Sequence, residues 1–256
     1  MMLDGAAQRA ADAVLDRESR KRRHLVVSLS GAHAYGFPSP DSDLDLKAVH
    51  IAPTRALLGL GEPERSADFL EVVDGIEIDY TSNEIGMVLA GVLQGNGNYL
   101  ERILCAIPLR TSPEHAALVP LVQDALSRRI WRHYAGFAKN QLDAVRSADE
   151  PAAKSVLYVL RTALTGTHAL LTGALVTDVG LLIDEHGFGH ARSLIEKKRA
   201  GERTLLSPSD KERWSSDLER VLALLEQARE RSCLPEEPRN RDALEDWLVR
   251  IRQTLE

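Results

Sequence analysis

Three aspartates in two short segments have the spacing expected of a divalent-metal site. Asp43 and Asp45 are two residues apart, and Asp79 lies in the alternating stretch 76–80. Residues two apart on a strand point to the same face, so the first two carboxylates would stand side by side and repel one another. A divalent cation relieves such repulsion, and Mg²⁺ typically binds one or two carboxylates together with phosphate oxygens of a substrate.

The third acid extends this prediction to two metal ions. Carboxylates on adjacent strands can hold two ions ~3.5–4 Å apart, an arrangement used for in-line phosphoryl and nucleotidyl transfer. Asp43 and Asp45 would bridge the ions, whereas Asp79 would bind the catalytic ion and help to deprotonate the attacking hydroxyl. Glu77 points off the same strand face as Asp79 and is the alternative third ligand. The predicted cofactor is Mg²⁺ or Mn²⁺.

Two further features surround the aspartates. Ser30 and Gly31 follow an apolar stretch that is typical of a buried strand, so their turn would present backbone N–H groups to a triphosphate. Lys47 shares a strand face with Asp43 and Asp45. It would either bind the nucleotide or pair with Asp45.

Local patterning predicts the elements that must position these groups. Apolar spacing predicts a first helix over residues 6–20, while the prolines, serines and aspartates of 30–43 are typical of a loop. Further helices are expected to start near Ser82 and Asn98. The predicted strands cover residues 25–29, 44–51, 69–73 and 76–81.

Beyond Pro113 the pattern is entirely helical. The chain is therefore predicted to be α+β, with a mixed sheet and flanking helices in a catalytic domain over residues 1–112. Residues 113–256 would form a helical domain that supplies the opposite wall of the substrate cleft. The predicted helices of this part cover residues 116–144, 151–171, 188–200, 208–231 and 240–255.

One helix of this second part carries a candidate phosphate-binding face. Lys154, Tyr158 and Arg161 are spaced at i, i+4 and i+7, which places them on one side of a helix. Two cations there would hold a triphosphate or an acceptor phosphate. The alternative is an ordinary solvated helix face. Weaker candidates for the same role are His133, Lys139 and Asn140.

A histidine pair later in the chain is not predicted to bind metal. His186 and His190 have the i, i+4 spacing of a helical metal pair, but the sequence between them is Gly-Phe-Gly. Glycines disfavour the helix that this spacing requires.

Composition restricts the class of protein. The 256 residues contain 38 acidic and 32 basic side chains, a formal net charge of −6, which excludes a histone-like, charge-driven nucleic-acid binder. An enzyme that meets nucleic acid through a local basic patch remains compatible with this charge. The two cysteines are too few for a disulfide framework or a cysteine-ligated zinc site. With no signal-peptide pattern and no membrane-spanning stretch, a cytoplasmic location without a membrane partner is predicted.

Four sequence segments occur in a characteristic order along the chain. They are SGAHAYGFPSPDSDLDLKAVHI, IEIDYTSNEIG, LQGNGNYLERI and KSVLYVLRTAL. Together they resemble the DNA polymerase β-type nucleotidyltransferase superfamily, and more narrowly its RNA-repair-associated RlaP type. The resemblance implies a polymerase-β-like catalytic domain followed by an all-helical domain.

The resemblance also implies roles for individual residues. Asp43 and Asp45 correspond to the first two metal ligands, Asp79 to the third, and Gly31 to the motif glycine. The next position is usually a serine whose hydroxyl and amide meet the nucleotide phosphates. Ala32 stands there in this chain, which removes the hydroxyl contact and keeps the backbone amide.

The predicted activity is metal-dependent transfer of an NMP from an NTP to a hydroxyl acceptor, with release of pyrophosphate. An RNA end is the acceptor that the resemblance implies. One alternative is nucleotidylation of a small molecule or a protein, as in antibiotic-modifying or toxin-like enzymes. The other, prompted by Ala32, is an inactive nucleotide-binding module. The sequence leaves the oligomeric state open.

Overall fold

A five-stranded mixed sheet organises the first part of the chain in the computed structural model, which describes residues 3–104, 107–201 and 204–254. The strand order is β3-β4-β2-β1-β5. β2 and β4 run parallel, and the other neighbours are antiparallel. The strands are β1 (Arg23–Leu29), β2 (Leu44–Ile51), β3 (Ser66–Val73), β4 (Ile76–Glu84) and β5 (Pro108–Thr111).

Helices flank this sheet and dominate the later sequence, so the predicted α+β class is confirmed. The helices of the first part are α1 (Gly5–Ser19), α2 (Gly31–Tyr35), α3 (Thr54–Leu58), α4 (Ile85–Leu93) and α5 (Gly97–Leu104). Those that follow are α6 (Pro113–Asp124), α7 (Ile130–Ser147), α8 (Ala153–Thr172), α9 (Val179–Glu185), α10 (Arg192–Arg199), α11 (Pro208–Glu230) and α12 (Arg241–Gln253). No helix in the described ranges is long and apolar enough to cross a bilayer.

The first helix shows how local sequence produces packing. Asp4 caps α1, its Oδ1 accepting hydrogen bonds from the backbone N–H groups of Ala6 at 2.9 Å and Ala7 at 2.8 Å. The apolar residues that predicted this helix all lie against one side of the sheet. They are Ala7, Ala10, Ala11, Val14 and Leu15, and they share a core with buried residues of β1, β2 and β4.

The chain divides into two compact units. The first contains the described residues up to His33, those from Asp43 to Ala125 and those from Pro238 onward. The second contains Ala34–Ser42 and Leu126–Glu237. The predicted domain boundary at residue 112 stays a prediction.

Several elements differ from those expected. The predicted loop 30–43 contains the short helix α2, and the single helix predicted over 116–144 is two helices, α6 and α7. In the second unit, the Arg128 backbone N–H donates to the carbonyl of Pro235 at 2.8 Å, and its side-chain Nε donates to the carbonyl of Leu234 at 3.1 Å. Such contacts between distant residues fix the start of α7, and helical periodicity does not encode them. The short elements β5 and α9 were not predicted, and the last residue of the predicted helix 240–255 lies outside the described residues.

Candidate functional site

The sheet places two of the three predicted aspartates opposite each other. Asp45 on β2 and Asp79 on β4 are register partners across the parallel pair. Leu44 and Leu46 are 1% and 0% exposed, whereas Asp45 and Lys47 are half-buried, so the predicted alternation of β2 is confirmed. Asp43 lies just before the first residue of β2. Asp79, rather than Glu77, is therefore the acid of β4 that faces Asp45.

The Lys47 ammonium lies beside both facing carboxylates. Its Nζ is 2.8 Å from Asp79 Oδ1 and 3.5 Å from Asp45 Oδ1. The same Nζ donates to Thr81 Oγ1 at 3.3 Å. The sequence offered pairing with Asp45 as one alternative for Lys47, and the structure shows pairing with Asp45 and Asp79 together. Lys47 is thus an internal counter-ion of the aspartate site.

Burial and neighbouring charges make ionisation of Asp45 unfavourable. Burial raises the pKa of Asp45 from 3.8 to about 6; the Lys47 ammonium opposes the rise, and the carboxylates of Asp43 and Asp79 increase it. Because the ionised form of Asp45 is destabilised in this environment, a cation close to the carboxylate would stabilise it. Among the described residues, Asp43, Asp45 and Asp79 do not form a group whose carboxylate oxygens all lie within 4.8 Å of one another. The Lys47 ammonium is the cation that already stands by Asp45 and Asp79.

The Ser30–Gly31 turn lies directly against Asp45. The Ser30 N–H donates to the backbone carbonyl of Asp45 at 2.9 Å. Gly31 has φ +57°, and a Cβ at this position would lie 1.8 Å from Asp45 Oδ2. Only glycine fits there, because any side chain would overlap the carboxylate. Ala32 follows with 6% exposure. The structure thus brings the turn and the aspartate together, and binding of a triphosphate by this turn stays a prediction.

The candidate phosphate-binding face on α8 lies in the second unit. Arg161 is 7% exposed, and its guanidinium carbon is 3.6 Å from the centroid of the Tyr35 ring. Tyr158 packs edge-on against Tyr35 and Phe37, with ring centroids 5.8 and 5.7 Å away. Lys154 is half-buried on the same helix. Tyr158 and Arg161 therefore pack against the segment that leads to Asp43, and their contact with substrate stays a prediction.

The weaker candidates near this face lie on α7. His133 stacks on Phe137 with ring centroids 4.5 Å apart, and burial, with a smaller contribution from Arg161, lowers its pKa to about 4. The ring is consequently neutral at neutral pH. Lys139 and Asn140 are exposed on the same helix.

Sequence reasoning missed one residue that holds the segment before Asp43. Lys198 on α10 is 1% exposed, and its ammonium donates to Ser39 Oγ at 2.8 Å and Ser42 Oγ at 2.7 Å. The neighbouring Arg199 donates to the carbonyl of Gly36 at 2.8 Å. No local signal predicts these bonds, because Lys198 and Ser42 are 156 residues apart in the chain.

Comparison with known proteins assigns the chain to a family. The family model for RlaP, the RNA repair pathway DNA polymerase beta family, matches residues 8–250. The uncharacterized protein MJ0002 of Methanocaldococcus jannaschii is 27% identical over 157 residues, which is 60% of this chain. That match spans 63% of the relative's length, slightly less than two thirds.

One solved structure is also similar to this chain, at low sequence identity. It is the crystal structure of a nucleotidyltransferase-like protein from Exiguobacterium sibiricum, with a TM-score of 0.35 and 8% sequence identity. The comparison covers 96% of this chain and 80% of that one.

Proposed function

Since the chain belongs to the RlaP family of DNA polymerase β-type nucleotidyltransferases, we propose that it moves an NMP from an NTP to a hydroxyl acceptor and releases pyrophosphate. The observation that carries this proposal is the pairing of Asp45 with Asp79 across β2 and β4, with Gly31 against the Asp45 carboxylate. This arrangement joins carboxylates with a turn whose backbone approaches them closely. Both features suit the handling of a metal-bound triphosphate.

The donor set at the aspartates fits a hard divalent cation. Carboxylate oxygens are the ligands that Mg²⁺ and Mn²⁺ prefer. Burial, with a smaller contribution from Asp43 and Asp79, raises the pKa of Asp45, so a cation beside this carboxylate would stabilise its ionised form. Asp43, Asp45 and Asp79 would hold the ion or ions. When bound, the metal would neutralise the phosphate charge that develops during transfer.

The protein's own groups would then divide the remaining work. The acceptor oxygen forms a bond to the α-phosphorus, the bond from that phosphorus to the bridging oxygen of the β-phosphate breaks, and pyrophosphate leaves. Asp79 is proposed to take the proton of the acceptor hydroxyl. The backbone N–H groups of Gly31 and Ala32 are proposed to hold the triphosphate. The Lys47 ammonium, which pairs with Asp45 and Asp79 in the structure, is proposed to donate to a phosphate oxygen of the NTP.

Further substrate contacts are proposed for α8. Lys154, Tyr158 and Arg161 share one helix face, and two of these side chains are cationic. We expect Lys154→Gln to raise the KM for NTP because the variant would lose a cation that neutralises phosphate charge. The matched control is Lys197→Gln, which removes an exposed cation of α10 that pairs with Asp210. An equal effect of both substitutions on KM would contradict a specific role for Lys154.

An RNA end is the proposed acceptor because the matched family is the DNA polymerase beta family of an RNA repair pathway. The test is transfer of label from NTP carrying ³²P at the α-phosphate, with RNA, protein and small-molecule acceptors supplied in parallel. Label in RNA, absent when the γ-phosphate carries the ³²P, is the expected result. Label in protein or in a small molecule would support the alternative acceptors. NTP binding without release of pyrophosphate would show an inactive nucleotide-binding module and overturn the proposal.

A further inference from the structure

A cluster of metal-capable side chains lies in the second unit, at the ends of α8 and α9. His168 belongs to α8, Glu185 is the last residue of α9, and His186 follows it directly. One ligand atom from each residue lies within 4.8 Å of the other two. None of the three is part of the aspartate site or of the candidate phosphate-binding face.

The contacts within this cluster involve one ring nitrogen of His168 and leave a buried ring nitrogen of His186 without a hydrogen bond among the described residues. His168 Nδ1 lies 3.1 Å from Glu185 Oε1, and the two imidazole rings meet edge-to-face with centroids 5.9 Å apart. The Nε2 atom of His186 is buried, and it has no hydrogen-bond partner among the described residues. A buried polar atom without a partner costs free energy, so it needs a physical explanation.

The backbone holds this cluster in place. The His186 N–H donates to the carbonyl of Leu182 at 3.0 Å, and the Phe188 N–H donates to the carbonyl of Ile183 at 2.6 Å. These bonds close the C-terminal end of α9, whose Leu182 and Ile183 are fully buried. His168 lies on a 20-residue helix, with only 12% of its side chain exposed. Ligands on rigid elements give a more precise site than ligands on loops.

We propose that His168, Glu185 and His186 bind a divalent transition-metal ion, best matched by Zn²⁺, which supplies a partner for His186 Nε2. Zn²⁺ binds imidazole nitrogen at ~2.0–2.1 Å and carboxylate oxygen at ~2.0–2.2 Å, so two ligands of a tetrahedral ion lie roughly 3.3 Å apart. The 3.1 Å between His168 Nδ1 and Glu185 Oε1 already matches that separation. One ring nitrogen of His186 lies within 4.8 Å of both other ligand atoms, so rotation of the imidazole would bring it to the ion, and water would complete the coordination.

The donor set separates this site from the aspartate site. Two imidazoles select zinc and its neighbours among the transition metals, whereas carboxylate-only sites suit Mg²⁺ and Mn²⁺. An ion held here would join α8 to α9. Because it would bind the folded chain and not the unfolded one, it would raise the melting temperature.

The experiment titrates Zn²⁺ into the full-length, chelator-treated chain in saturating Mg²⁺, by calorimetry and by the absorption spectrum of Co²⁺ as a substitute. The wild-type chain and an Asp43→Asn/Asp45→Asn variant are expected to bind one equivalent of Zn²⁺ with the same affinity. His186→Ala and Glu185→Gln are expected to bind at least about tenfold more weakly, as is usual when a site loses a supporting group. Zn²⁺ should raise the melting temperature of the wild-type chain and not that of His186→Ala.

A matched control is His190→Ala. His190 lies four residues beyond His186, is exposed, and hydrogen-bonds Asp217 Oδ2 at 2.7 Å, so its loss should leave Zn²⁺ binding unchanged. Glu185 is half-exposed, and its substitution by the isosteric glutamine keeps the test valid if His186→Ala folds poorly. Wild-type Zn²⁺ affinity in both His186→Ala and Glu185→Gln would overturn the proposal. Loss of the Zn²⁺ equivalent only in Asp43→Asn/Asp45→Asn would overturn it too.

Discussion

Replacing Gly31 with alanine tests the close approach of the Ser30–Gly31 turn to Asp45. The residue has φ +57°, a left-handed conformation that costs an L-residue with a Cβ about 1–2 kcal/mol. The added Cβ would lie 1.8 Å from Asp45 Oδ2 and 2.8 Å from its Cγ, so the carboxylate or the turn must move. Overpacking of this kind costs about 1–3 kcal/mol. The two terms together predict a loss of about 2–5 kcal/mol in the free energy of unfolding.

Gly75→Ala is the matched control for this substitution. Gly75 has φ +81°, and no atom lies within 4 Å of a Cβ built on it. Its replacement by alanine therefore carries only the cost of the left-handed backbone conformation, with no overlap. Urea unfolding of both variants therefore isolates the contact with Asp45. Calorimetric titration of Mn²⁺ and the rate of label transfer complete the assay. We expect Gly31→Ala to lose Mn²⁺ binding and label transfer, since Asp45 is displaced. Gly75→Ala should keep both activities.

Equal destabilisation of the two variants, with Mn²⁺ binding intact in Gly31→Ala, would refute this reasoning. Such a result would mean that the Asp45 carboxylate does not lie against Gly31 in solution. A Gly31→Ala variant that is destabilised but transfers label at the wild-type rate would show that the close approach of the turn to Asp45 is not required for transfer.

Two further predictions concern carboxylates whose pKa is shifted by their surroundings. Because the pKa of Asp45 is raised from 3.8 to about 6, the metal-free protein should lose stability as pH rises through that range. Asp45→Asn should therefore melt at a higher temperature than the wild-type chain near pH 7 in chelator, and a pH series of thermal melts should show the difference vanish at the acid end. Burial opposes ionisation of Glu18, but hydrogen bonds from Lys21, Arg22 and Arg17 outweigh it and lower the pKa from 4.5 to about 2. Glu18 thus stabilises the fold above pH 4.5 and loses this effect as pH falls toward 2. Glu18→Gln should therefore lower the urea midpoint at neutral pH and make that midpoint less dependent on pH below 4.5.

The faces of the aspartate strands were predictable because the period of a strand is fixed by its backbone. Alternation alone placed Leu44 and Leu46 inward and Asp45 and Lys47 on the other face, as the structure shows. The double pairing of Lys47 was not predictable in the same way. It depends on β4 lying next to β2 in parallel register, and strand order is a property of the whole sheet.

The histidines show the same limit more sharply. Local spacing could compare His186 only with His190, a pair that the intervening glycines argued against, whereas the structure brings His186 to His168, eighteen positions earlier. A periodicity argument only compares residues within a few turns of one helix. Lys198 is similar, because its bonds to Ser39 and Ser42 join segments that no local pattern connects. Residues whose partners are distant in sequence are the part of the site that required a structure.

Metal-dependent transfer of the α-phosphate label, compared between the wild-type chain and Asp43→Asn/Asp45→Asn, tests the proposed chemistry most directly. Glu77→Gln is the control, because this exposed acid of β4 does not face Asp45. We expect the wild-type chain and Glu77→Gln to transfer label and release pyrophosphate only when Mg²⁺ or Mn²⁺ is present, and the double variant to show no transfer above background. Transfer by the double variant at the wild-type rate would contradict the assignment of the metal to these aspartates.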